Sequence, residues 1–353
     1  MTINSAQAVS VRLRSGQHWL AKFFHVAGRC LCVRTRNARA LRLFELNLRH
    51  YALVPATQPP IEADCTLTII DDERPPEIPP GLMVSAAEDC AYASDGQTDY
   101  FAVGDAMIVI GHHDATSVTV WTGQRAHARS APELSNVLTC AVHAALRRAH
   151  LFELHAGAVS EPHSGAGVLF IGASGSGKTT MTLRLAAQGW PYLSDDRLAL
   201  SENENDIRAW PLRREFYVTQ DILAACHLTA LIQSNRQHSH SEIPKWIITP
   251  QQLFPGRFVS HCQPQALFFP HLTGEKSTRL RALSQSQAMM QLLHHCPWAC
   301  RDRTMAAAQI RLLQRLATQC RSFRLEAGTD LLEQADLTAR LIQSQFSNPE
   351  QPR

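Results

Sequence analysis

The stretch Gly167-Val-Leu-Phe-Ile-Gly-Ala-Ser-Gly-Ser-Gly-Lys-Thr-Thr180 constrains this chain more than any other. Within it, Gly172 to Thr179 fits the pattern G-x-x-x-x-G-K-[ST]. The apolar run Val168 to Ile171 predicts a buried strand that ends at the loop. Gly172, Gly175 and Gly177 carry no Cβ, so the backbone can wrap a phosphate with its amides turned inward. Thr179 to Gln188 predict a helix whose positive N-terminal end faces the same phosphates. In this pattern Gly172, Ala173, Ser174, Gly175, Ser176, Gly177 and Thr180 cradle a nucleoside triphosphate such as ATP. Lys178 reaches its β- and γ-phosphates, and the Thr179 hydroxyl holds Mg²⁺. A strand before the loop and a helix after it set the stretch apart from a flexible Gly/Ser turn.

A length of 353 residues leaves room for two domains. With 45% hydrophobic and 18% charged residues, the composition is that of a globular protein. A formal charge of +3, with arginines dispersed along the chain, argues against a nucleic-acid partner. No run of 18 apolar residues and no apolar signal core occurs, so neither a membrane partner nor export is expected. Ten well-spaced cysteines fit free thiols in a reducing cytoplasm.

Residues 9 to 125 read as β-rich. Alternating or short apolar runs predict strands at Val9–Leu13, Leu31–Val33, Cys65–Ile70, Tyr100–Val103, Met107–Ile110 and Ser117–Trp121. Arg39 to Leu48 predict a helix, and the prolines of 55–60 and 73–80 predict loops. Ser130-Ala-Pro-Glu133 has the form of a capping box. Leu134, Val137, Leu138, Ala141, Ala145 and Leu146 then share one helical stripe. These signals divide the chain into an N-terminal β-rich domain at 1–128, a catalytic domain at 129–346 and a disordered tail at 347–353. The first domain carries no recognisable chemistry; it either binds a partner, supports a homo-oligomer or is purely structural.

In the second domain, Leu154 to Val159 predict a strand that turns at 161–165 and returns as the loop-bearing strand. Seventeen residues beyond Lys178 comes Asp195, in Tyr192-Leu-Ser-Asp-Asp-Arg197. Two adjacent acids at a strand end, one helix after a phosphate loop, belong near the γ-phosphate and its metal. One carboxylate can approach the metal while the other accepts a proton from an attacking hydroxyl. Arg213, Arg214 and Lys245 supply cations for transition-state charge or an acidic substrate. Residues 233–241, with His238 and His240, read as a polar loop. His294-His-Cys-Pro-Trp-Ala-Cys300 has poor spacing for zinc. Two helices, 305–320 and 331–346, flank a strand at 323–325.

His155, Gly172-Ala-Ser-Gly-Ser-Gly-Lys-Thr179, Gly189 and Leu193-Ser-Asp-Asp196 resemble the catalytic domain of HPr kinase/phosphorylase. They are closer still to its relatives, the HPr-kinase-like serine kinases of peptide-modification clusters such as those of lasso peptides. The resemblance is sharp over 150–200 and looser to about 290, through Lys245, Leu253-Phe-Pro-Gly-Arg257, Phe268-Phe-Pro270 and Ala288. It implies an α/β P-loop kinase core related to HPr kinase and phosphoenolpyruvate carboxykinase, with mixed strands. It makes Asp195 the catalytic base, Asp196 the acid beside the metal, and His155 the histidine against the catalytic acid. Ala173 stands where the family loop carries an acid, and the family's glutamate-led glycine-rich signature is missing. Glu215, in Arg213-Arg-Glu-Phe216, is the nearest substitute for that glutamate as a second Mg²⁺ ligand.

The resemblance therefore implies an ATP- and Mg²⁺-dependent kinase that phosphorylates a serine of a peptide or protein, such as a lasso-type precursor, rather than HPr. A P-loop ATPase or small-molecule kinase, and a non-catalytic nucleotide sensor, are the alternatives.

Overall fold

A computed structural model describes residues 9–12, 18–58, 60–71, 74–87, 90–103, 106–112, 114–123, 131–203, 206–226, 228–229, 237–238, 244–296, 302–334 and 336–347. The protein is mixed α/β with several sheets. It divides into two compact units, Met1–Phe152 with Arg301–Met305, and Glu153–Cys300 with Ala306–Arg353.

The first unit is built on one ten-stranded sheet. Its strands are β1 (Val9–Arg12), β2 (His18–Val26), β3 (Arg29–Thr35), β4 (Val54–Pro55) and β5 (Cys65–Ile70), then β6 (Ser85–Ala87), β7 (Cys90–Ser94), β8 (Thr98–Val103), β9 (Ala106–Gly111) and β10 (Ser117–Trp121). They run β1-β2-β3-β5-β10-β9-β8-β7-β6, with β4 on β2. β5 lies parallel to both β3 and β10. Alternation sorts the faces: Val118 and Val120 of β10 are buried, while the residues between them are half-exposed. Helix α1 (Ala38–Asn47) starts where the Asn37 side chain accepts a hydrogen bond from the Arg39 amide.

Helix α2 (Ala131–Arg148) buries the whole stripe read from the sequence, Leu134 through Leu146. That stripe packs on β5 and β10. The helix thus belongs to the first unit, and the compact units divide after Phe152 rather than at 128. Ser130 of the expected capping box, residues 233–236 and 239–241 of the polar loop, residues 297–300 and the tail 348–353 lie outside the described residues.

The second unit contains β11 (Phe152–Leu154), which straddles the division, then β12 (Ala156–Ser160), β13 (Ala166–Ile171), α3 (Lys178–Ala187) and β14 (Tyr192–Ser194). There follow β15 (Leu198–Glu202), β16 (Ile207–Pro211), β17 (Phe216–Thr219), α4 (Gln220–Ala225), β18 (Gln237–His238) and β19 (Lys245–Ile248). The remainder is α5 (Pro250–Leu253), β20 (Gln263–Leu272), β21 (Arg279–Leu283), α6 (Gln285–His294), α7 (Arg303–Gln319), β22 (Arg321–Ala327), α8 (Asp330–Glu333) and α9 (Leu337–Ser347).

Its main sheet runs β14-β12-β13-β20-β22-β21. β13, β20 and β22 are parallel, and β12 is antiparallel to both β13 and β14. β13 is buried along its whole length, as a central strand covered on both faces must be. Val168, Phe170, Phe268 and Phe323 of the parallel strands share one core with Met181 and Leu185 of α3. The single helix expected over 331–346 is two, α8 and α9. Asp330 binds the backbone amide and hydroxyl of Thr278, which ties the first short helix to a neighbouring loop. Cys30, Cys32, Cys65, Cys140, Cys226, Cys262, Cys296 and Cys320 are free thiols. Among the described residues no helix is long and apolar enough to cross a membrane.

Candidate active site

Sheet direction gathers the chemistry at one edge. The loop follows the C-terminal end of β13, and Asp195 and Asp196 follow the C-terminal end of β14. β12 runs the other way between them, so His155, just before its first residue, reaches the same edge. Ligands of open α/β sheets collect at such carboxyl ends. Gly157 in β12 is required by close approach: a Cβ there would stand 2.6 Å from the Thr182 hydroxyl and 3.1 Å from the Asp195 carbonyl oxygen.

The loop tip, Ala173 to Gly175, is exposed, whereas Gly172, Lys178 and Thr180 are buried. Gly177 caps α3 with φ of +98°, a left-handed conformation that costs other residues strain. Lys178 Nζ donates to the carbonyl oxygens of Gly172 and Ala173, each at 2.8 Å. Burial lowers its pKa, against the charges of Asp196 and Asp195. These two bonds curl the lysine over its own loop.

The paired acids meet different environments. Asp195 is 1% exposed, and its Oδ2 accepts a hydrogen bond from the Thr179 hydroxyl at 3.0 Å. Its Oδ1 is buried with no hydrogen-bond partner among the described residues. Burial pushes this carboxyl well above the usual carboxylate range, against the pull of Arg213. Asp196 keeps 23% of its side chain exposed. His155 Nε2 lies 2.7 Å from its Oδ1, and Arg213 donates to its Oδ2 at 2.7 Å. Burial raises the Asp196 pKa as well, but the His155 hydrogen bond and the Arg213 charge outweigh it and hold the carboxyl far below the usual range. The Arg213 guanidinium also lies 3.7 Å from the Tyr217 ring centroid.

His155, expected against the catalytic acid, thus sits against Asp196. Arg213 joins the acids directly. Lys245 opens β19 opposite Thr219, and its charge helps to depress the Lys178 pKa. Arg214 is exposed. Glu215 is half-buried, one residue before β17. Among the described residues no three His, Cys, Asp or Glu side chains form a metal cage.

An oxygen-ligated cation such as Mg²⁺ fits one point in this arrangement. It needs few protein ligands and takes the rest from water and phosphate. The Thr179 hydroxyl with the Asp195 carboxylate, one of whose oxygens is buried and unpartnered, is such a donor set.

Sequence reasoning missed a second wall of the site. A cleft of about 860 Å³ is lined by loop residues 171–176, the end of β20, and one face of α6. The signal was present: Ser284 and Gln287 form a reciprocal capping box that opens α6.

No model of a known protein family matches the chain, and no curated protein matches it. Among solved structures it is similar to the HPr(Ser) kinase/phosphatase from Coxiella burnetii, with a TM-score of 0.29 and 12% identity, over 56% of this chain and 99% of that one.

Proposed function

We propose that the second unit is an ATP- and Mg²⁺-dependent kinase that transfers the γ-phosphate to a serine hydroxyl of a peptide or protein. The observation that carries this reading is the division between the two acids beside a phosphate-loop sequence. Asp195 is buried on the Thr179 hydroxyl, and Asp196 is open to an incoming group. A binding-only site has no need of the second, accessible carboxylate.

The exposures favour roles opposite to those expected from the sequence. Asp195 and Thr179 would hold the Mg²⁺, which when bound neutralises charge on the β- and γ-phosphates. Asp196, oriented by His155 and Arg213, would accept the proton of the serine hydroxyl. As the serine oxygen bonds to the γ-phosphorus, the bond to the β–γ bridging oxygen breaks and the proton passes to the Asp196 carboxylate. The cations that depress its pKa make Asp196 a weak base. Phosphoryl transfer tolerates one, because its loose transition state rests on placement and charge neutralisation. Lys178, released from the Gly172 and Ala173 carbonyls, and Arg213 would supply that neutralisation. Lys245 is the further cation available to an acidic substrate.

The test is transfer from γ-labelled ATP to a library of serine-containing peptides. Labelled phosphoserine is the expected product. Asp196→Asn should slow transfer by about 10²- to 10⁴-fold with MgATP binding intact. Asp195→Asn should instead lose the Mg²⁺ dependence of ATP binding. Phosphate release without any labelled peptide would replace the kinase with an ATPase.

A further inference from the structure

We infer that the cleft between the loop and α6 is the nucleoside subsite, in which Leu272 and Met290 take the base of the bound nucleoside triphosphate. This rests on the reading of the loop as a triphosphate site.

Sheet order supplies the direction. β12 and β14, which carry His155 and the acids, lie on one side of β13; β20 and β22 lie on the other. A triphosphate whose γ-end meets Thr179 and Asp195 must carry its nucleoside away from the acids, toward the β20 side. The cleft lies there, and loop residues 171–176 form part of its wall, so the two spaces are continuous. Its 860 Å³ falls within the roughly 300–1,000 Å³ of small-molecule sites.

The walls have the chemistry of a base site. Leu272, Met290 and Ile310 are the large apolar side chains left exposed among the described residues of the second unit, and the first two line this cleft. Leu272 reaches the loop itself, its Cδ2 lying 3.8 Å from where a Cβ on Gly177 would stand. Gln287, Met290, Gln291 and His294 recur at helical spacing on the cleft face of α6, while Ala288 and Leu292 face the core. A thioether and a leucine suit the faces of a planar ring, and amide and imidazole groups can meet its polar edge. Exposed Arg324, also on the wall, can pair with a phosphate.

The experiment compares equilibrium binding of ATP and of inorganic tripolyphosphate, each with Mg²⁺, to the full chain. The wild-type protein should bind ATP more tightly. The double variant Leu272→Gln/Met290→Gln, which changes two exposed positions and no charge, should weaken ATP about tenfold, as expected for losing the apolar contact of one ring. It should leave tripolyphosphate within about twofold, which also shows that the loop is still folded. Unchanged ATP affinity in the variant, or equal wild-type affinities for ATP and tripolyphosphate, overturns the subsite while leaving the loop reading intact. Binding of neither ligand overturns both.

Discussion

Asp302 is gripped by two arginines and Asp196 by an arginine and a histidine, one cluster in each unit, and they differ in their access to water. Asp302 accepts from Arg147 Nε at 2.8 Å and Arg148 Nη2 at 2.9 Å, with the three side chains at most 1% exposed. Asp196 is bound by His155 and Arg213 at similar distances, with side-chain exposures of 23%, 30% and 16%. The first cluster ties the end of α2 to the residue that precedes α7 and offers no face to a ligand. The second opens beside the glycine-rich loop 172–177. Similar ionic chemistry is thus sealed from water in one unit and open to it in the other.

Truncation should separate the two by the largest margin. Removing one member of a sealed cluster strands the remaining charges, so Asp302→Ala should cost about 3–5 kcal/mol. Asp196→Ala leaves cations that water can reach, and should cost about 1 kcal/mol or less. Denaturant unfolding of the intact protein measures both. Equal losses would break the comparison, because the Asp196 cluster would then be part of the scaffold.

Acid gives a smaller effect of defined sign. Burial raises the Asp302 pKa, but Arg147 and Arg148 outweigh it, so the carboxyl titrates below its unfolded value. With the unfolded value near about 3.9, the stability from this cluster is fully present above it and is lost as pH falls through the lower folded value. The stability gap between wild type and Asp302→Asn should therefore be constant above about pH 5 and shrink below about pH 4. A gap that persists unchanged into strong acid would mean that the lost stability came from packing rather than charge.

The strand before the loop and the helix after it were legible because each is a contiguous run with a local pattern. The strands at 65–70 and 117–121 were legible for the same reason, since alternation is local. What each element faces was not. The stripe of α2 announced a buried face without saying that β5 and β10 cover it. Which acid meets His155 depends on how β12 and β14 align, and their pairing shifts between Ala158 and Val159. A one-residue slip there reverses which side chain points to which face, and no local pattern fixes it. Arg213 looked like half of a basic pair; only the path from β16 to β17 brings it to Asp196 and Tyr217. The cleft needed four separated segments to come together, and so left only the capping box of α6 as its trace.

The finest distinction within the open cluster lies between neighbours in sequence. Arg213 holds Asp196 while its flat guanidinium lies on Tyr217, and Arg214 is exposed next to it. A lysine at 213 keeps the charge but has no planar fork, so it cannot stack on the ring and hold the carboxylate in one geometry. Arg213→Lys should therefore lower kcat for ATP turnover roughly tenfold with ATP affinity unchanged, since the lost interaction orients a reacting group rather than the nucleotide. Arg214→Ala should stay within about twofold of wild type, as expected for an exposed cation. Full activity in Arg213→Lys would mean that any positive charge beside Asp196 suffices. Equal losses in the two variants would make the pair a basic face for substrate instead of one oriented arginine beside a bystander.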